Sequence, residues 1–123
     1  TSLMPHLLIP EIRDAIERSA AVKILVLNLR PQRGETSGFA PQDYLTALWE
    51  HAPGLRLDAI VADTTTVRDV TSLRSAARGA VIHLDELVDP VDRARHDPVR
   101  LGRALQEALD SAVGTHGRIA AWR

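Results

Sequence analysis

Val22-Lys23-Ile24-Leu25-Val26-Leu27-Asn28-Leu29 is the clearest structural signal in the chain. It is a near-continuous aliphatic run rich in branched residues, the pattern of a parallel strand covered on both faces. Before it, Pro10 to Ala20 reads as a helix. Pro10 suits a first helical position, Ile9, Ile12, Ala15 and Ile16 form one apolar stripe, and Glu11, Arg13, Asp14, Glu17 and Arg18 face away. Further upstream, Thr1-Ser2-Leu3-Met4-Pro5 reads as the entry to a helical turn. After the strand, Pro31, Gly34 and Gly38 in the loop from Arg30 to Ala40 break the extended run.

The alternation continues downstream. Pro41 opens a helix whose buried stripe is Tyr44, Leu45, Leu48 and Trp49, and Pro53-Gly54 stops it. Leu57 to Ala62 is a second buried strand. Val67 to Arg78 reads as a helix with Thr66 and Asp69 at capping-box spacing and Val67, Val70, Leu73 and Ala77 on its apolar face, ended by Gly79. Ala80 to Leu84 is a short third strand, and 85 to 96 is a polar loop. Asp97-Pro98 supplies an N-cap and first-turn pair for a last helix carrying Leu101, Leu105, Ala108, Leu109, Ala112 and Val113. Residues 114–123 read as a tail.

Strands alternating with helices of about three turns predict an α/β fold with a parallel sheet. Three strands make a small sheet with two open edges, whereas sheets usually hold ~4 to 6 strands. Further strands are therefore expected from sequence upstream. The chain opens on Thr1 rather than methionine, which reads the same way, as a piece of a longer protein.

Composition limits the function. With 15 basic against 16 acidic residues there is no overall polyanion-binding surface, which argues against nucleic acid as a partner. The absence of cysteine excludes disulfides, thiol catalysis and Cys-ligated zinc, and makes a cytoplasmic setting the default expectation. No apolar run approaches the ~20 residues of a membrane span, and no signal-peptide pattern is present. His6, His51, His83, His96 and His116 lack the spacing of a helical zinc pair, so no metal site is expected.

In open parallel sheets ligands collect beyond the carboxyl ends of the strands, here 28 to 38, 63 to 66 and 85 to 96. The first loop is the best candidate. Asn28 is a polar side chain at the end of a buried strand, Gln32 offers an amide, and Gly34-Glu35-Thr36 combines free backbone N–H groups with a hydroxyl and a carboxylate. Such a loop suits an anionic or hydroxyl-rich ligand. The same residues also serve an ordinary strand-to-helix turn with local capping, and spacing alone favours that structural reading. Thr1 and Ser2 are either an anion cradle or routine caps. Asp58, Asp63, Asp85 and Glu86 read as solvated strand-end carboxylates. His96-Asp97-Pro98 reads as helix-start chemistry, and Arg93-Ala94-Arg95-His96 as a solvated loop rather than a phosphate clamp. No serine stands in a nucleophile elbow, and no catalytic residue is assigned.

Taken in order, three segments resemble the C-terminal part of the YvcK-type gluconeogenesis factors, relatives of the CofD phospholactate transferases. They are Thr1-Ser2-Leu3-Met4-Pro5-His6-Leu7-Leu8, then Val26-Leu27-Asn28-Leu29 running into Pro31-Gln32-Arg33-Gly34-Glu35-Thr36-Ser37-Gly38, then Arg95-His96-Asp97-Pro98 with Leu101. The resemblance covers residues 1–113. The family usually has a Gly-Pro-Gly-Ser loop just before the Thr-Ser, and asparagine where this chain has His6.

The resemblance implies a Rossmann-like parallel sheet with flanking helices, the C-terminal portion of a larger CofD-like domain whose other half carries a glycine-rich nucleotide loop. It implies a cytoplasmic protein that binds a UDP-sugar, typically UDP-N-acetylglucosamine, and affects gluconeogenic growth, cell-wall synthesis and cell shape without an established reaction. By position, Thr1 and Ser2 would belong to the phosphate side of the site, and Asn28, Gln32, Gly34, Glu35 and Thr36 to the loop on the ligand side. No cofactor beyond the UDP-sugar ligand is implied. The expected partners are that nucleotide and the preceding segment of the same protein, with a homo-oligomer left open. The alternative is a CofD-like 2-phospho-L-lactate transferase acting on a deazaflavin acceptor with a divalent metal. In a third reading the segment only supports a site built elsewhere.

Overall fold

The computed structural model describes residues 3–29 and 40–116. In chain order these form α1 (Met4–Leu7), α2 (Pro10–Arg18), β1 (Ile24–Val26), α3 (Pro41–His51), β2 (Ala59–Asp63), α4 (Val70–Ala76), β3 (Val81–Asp85) and α5 (Pro98–His116). The three strands pair in parallel in the order β1-β2-β3, with Ile24 beside Ala59 and Ala59 beside Val81. This is the Rossmann-like parallel sheet with flanking helices that the sequence predicts.

Only the middle strand is buried along its whole length. Successive residues of β2 point to opposite faces, so Ile60 and Ala62 join the core beneath α3 and α4, while Ala59 and Val61 face α5. The two edge strands are half-buried, which corrects the expectation that the first is fully covered. Its ladder is also shorter than the aliphatic run. Pairing extends from Lys23, whose carbonyl accepts from Asp58, to Leu27, whose N–H donates to Val61. Asp58 closes the lower end by accepting from the Lys23 N–H at 2.7 Å.

The two helical layers differ in character. Leu45, Leu48 and Trp49 of α3 and Leu73 of α4 fill one core with Leu7 of α1. On the opposite face α5 lies on the sheet through Ala104 and Ala108, small side chains that let the helix approach Ala59 and Val61 closely. Asp97 caps α5, accepting from the backbone N–H groups of Val99 at 2.9 Å and Arg100 at 3.1 Å. Leu109, grouped with the apolar positions of this helix, is exposed instead. The helix continues through Gly114 to His116.

Two further expectations need correction. The apolar stripe of α2 is covered only in part: Ile16 packs against the core, while Ile9 and Ile12 are exposed. The helix expected to start at Val67 starts at Val70, capped by Asp69, which accepts from Ser72. Thr66 is not its cap. The Thr66 hydroxyl donates to the Asp63 carbonyl and belongs to the preceding turn.

Candidate functional site

The carboxyl ends of all three strands open into one cavity of about 310 Å³. Leu29 contributes from beyond β1, Thr65 and Thr66 from the turn after β2, Arg68 from the approach to α4, and Val88 and Arg93 from the segment after β3. The site is therefore assembled from three connections that the parallel topology brings to one edge.

A buried carboxylate holds two of these connections together. Asp63 is 1% exposed at the last position of β2. One oxygen, Oδ1, accepts from the backbone N–H of Leu87 at 2.7 Å and of Val88 at 3.2 Å. The other accepts from the Thr65 N–H at 2.9 Å and from the Thr65 hydroxyl. Burial alone raises the pKa of this carboxyl. The bonds from the Thr65 side chain and from the backbone of Leu87, Thr65 and Val88 outweigh it and hold the pKa below the ordinary aspartate value. Expected as a solvated strand-end acid, Asp63 is instead a buried clamp, because its side chain lies on the α5 face where four donors converge. A local signal existed: in Asp63-Thr64-Thr65-Thr66, an aspartate two residues before a donor is the spacing of an Asx turn.

The segment after β3 is built to a similar degree. Its ends meet in an antiparallel bridge between Val88 and His96, and the Asp97 N–H donates to the Leu87 carbonyl at 2.7 Å. Within it the Asp89 carboxylate accepts from the backbone of Val91 and Asp92. The bond from Asp92, then that from Val91, lower the Asp89 pKa, helped by the charges of Arg95 and Arg100. Arg100 also donates to the Val88 carbonyl. Arg93 is exposed at the tip and reaches the cavity.

Chemically, two exposed guanidinium groups and two threonine turn residues surround a polar space. Guanidinium presents planar paired donors that match carboxylate and phosphate, so the arrangement suits an anionic ligand. Among the described residues no three His, Asp or Glu side chains come together to hold a metal ion. Nor is any helix there long and apolar enough to cross a membrane. The buried Nε2 atoms of His83 and His96 have no hydrogen-bond partner among those residues.

Of the residues singled out from sequence, Asn28 is exposed just past β1, next to Leu29 of the cavity wall. Thr1, Ser2, Gln32, Gly34, Glu35 and Thr36 lie outside the described residues. Sequence reasoning missed Arg68 and set aside Arg93. A single arginine in a polar connection carries no local signature, and only the parallel topology brings these two to one cavity.

Known proteins extend the picture. A Mycobacterium leprae protein provisionally named a gluconeogenesis factor is 37% identical over 110 residues, covering 85% of this chain and 30% of its own length. The gluconeogenesis factor of Listeria monocytogenes is 34% identical over 122 residues, covering 89% of this chain and 38% of the relative. The chain thus spans about a third of these proteins. A crystal structure of a UPF0052 family member from Bacillus halodurans superposes with a TM-score of 0.70 at 26% identity, over 84% of this chain and 38% of that one. The model of the family described as 2-phospho-L-lactate transferase CofD matches residues 1–100, a span that takes in β1, β2, β3 and every wall of the cavity. The chain belongs to the CofD family.

Proposed function

We propose that the protein is a nucleotide-sugar-binding regulator acting in the cytoplasm, with UDP-N-acetylglucosamine as its ligand, and that it affects gluconeogenic growth, cell-wall synthesis and cell shape. The observation that carries this reading is the cavity at the carboxyl ends of the strands, where Arg68 and Arg93 stand beside Thr65 and Thr66. In this reading the guanidinium groups hold the diphosphate, and Asn28, Gln32, Gly34, Glu35 and Thr36 belong to the loop on the ligand side. Thr1 and Ser2 belong to the phosphate side. The ligand acts by shifting the population of a conformation that a partner reads. The gluconeogenesis-factor names of the relatives support the physiological part of the proposal.

A transferase is the second reading, favoured by the description of the family model that matches residues 1–100. It would move a phospholactyl group to a deazaflavin acceptor. A thermal-shift titration of the whole protein separates the two, because a ligand that binds only the native state raises its melting temperature. UDP-N-acetylglucosamine and UDP are expected to raise it. A shift with GDP or the deazaflavin and none with the uridine ligands would replace the first reading by the second.

A further inference from the structure

At the amino-terminal ends of the strands, opposite the candidate site, lies a second cavity of about 360 Å³. Pro53, Leu55 and Leu57 give it apolar lining, and Trp49, Arg56 and Arg78 complete the wall. The indole is fixed from behind, since its N–H donates to the Ala76 carbonyl at 2.6 Å. The Arg78 guanidinium lies 4.8 Å from the centre of that ring.

Two features set the character of this cavity. Arg78 has φ +51° and the next residue, Gly79, has φ +87°. A left-handed backbone disfavours residues with a Cβ, yet the first of the two positions carries a long cationic side chain. The pair follows the C-cap Ala77 and closes α4 in a left-handed turn, which fixes where the Arg78 side chain leaves the backbone. In addition, neither Arg56 nor Arg78 has an acidic partner or a hydrogen-bond acceptor among the described residues. Glu17, whose carboxylate packs on Gly54 at the edge of the cavity, forms no ion pair with either. Two like charges are thus brought to one cavity with no acceptor for their N–H groups among the described residues.

We propose that this cavity is a second binding site, for a phosphomonoester with a small apolar body. The dianionic head takes paired N–H donors from Arg56 and Arg78, and the apolar part lies on Leu55 and Leu57. The site stands at the opposite end of the sheet from the first cavity, so both can be filled at once.

Phenyl phosphate is the probe, titrated into the whole protein by calorimetry and by 19F NMR with fluorotryptophan, the Trp49 signal being assigned with Trp49→Phe. Saturable binding is expected, at least fivefold tighter than inorganic phosphate, with movement of the Trp49 resonance. Arg78→Gly removes the guanidinium while giving the left-handed position the residue it prefers. It should weaken phenyl phosphate at least tenfold without lowering the melting temperature. Arg56→Gln should weaken it similarly and leaves the backbone untouched. The double variant Arg68→Gln, Arg93→Gln, at the other end of the sheet, should bind phenyl phosphate as the wild type does. No saturable binding, a static Trp49 resonance, unchanged affinity in Arg78→Gly and Arg56→Gln, or loss confined to the Arg68/Arg93 variant would overturn the proposal.

Discussion

Replacing Asp63 by asparagine tests how the candidate site is held together. The substitution keeps the size of the side chain but turns one acceptor oxygen into a donor and removes the charge. Three of the groups around it can only donate, the backbone N–H of Leu87, Val88 and Thr65, and the Thr65 hydroxyl donates to the carboxylate as well. In either amide orientation the NH₂ group faces at least one backbone N–H, so one bond is lost where the Thr65 hydroxyl can turn to accept and two where the NH₂ meets Leu87 and Val88. The remaining bonds are no longer charge-assisted. Hydrogen bonds to charged groups contribute ~1.5–3 kcal/mol each. Allowing for relaxation, the expected loss is about 3 kcal/mol, read as a lower midpoint with unchanged slope in urea denaturation.

The pH dependence gives a second measure of the same clamp. Because the folded-state pKa of Asp63 lies below its unfolded value, its contribution is complete above the ordinary aspartate range and is lost as pH falls through the folded pKa. The stability gap between wild type and Asp63→Asn should therefore be constant above about pH 5 and narrow as the solution is acidified below about pH 4. A loss under about 0.5 kcal/mol, in the range of ordinary surface substitutions, or a gap that widens in acid, would refute the clamp.

Other consequences follow from particular contacts. Asp97→Ala removes the cap of α5 and should cost about 1 kcal/mol by chemical denaturation. Ala108→Leu forces three carbons into the seam between α5 and β2 and should destabilise by ~1–3 kcal/mol in the same assay. Asn28→Ala should weaken UDP-N-acetylglucosamine by a factor measurable in calorimetry while leaving the melting temperature of the free protein unchanged, because the side chain is exposed.

The fold was legible where one rule acted alone. The branched run around Ile24 to Leu27, the Pro41 and Pro98 helix starts and the stop at Gly79 each express local backbone preference or burial, and each stands where expected within a few residues. Competition between rules hid the rest. Thr66 and Asp69 have capping-box spacing, but the Thr66 hydroxyl reaches the Asp63 carbonyl first and the helix starts later. Asp63 read as solvated because a carboxylate at a strand end normally is. The return of residues 87 and 88 to β2, which no local pattern announces, supplies two of the four donors that make its burial tolerable. The stripe of α2 is apolar in pattern and only partly covered in space, which periodicity cannot distinguish. The parallel topology predicted the edge at which connections would gather. It could not say which arginines they would bring.

In the proposed function the cavity at the carboxyl ends of the strands holds the phosphates of a UDP-sugar through Arg68 and Arg93. The deciding experiment is calorimetric titration of the whole protein with UDP-N-acetylglucosamine, wild type against the Arg68→Gln, Arg93→Gln double variant. Saturable binding to the wild type is expected, with at least a tenfold weaker affinity in the variant, equivalent to about 1.4 kcal/mol, and an unchanged melting temperature of the free protein. Equal affinities in the two proteins, or no binding to either, would contradict the proposed function.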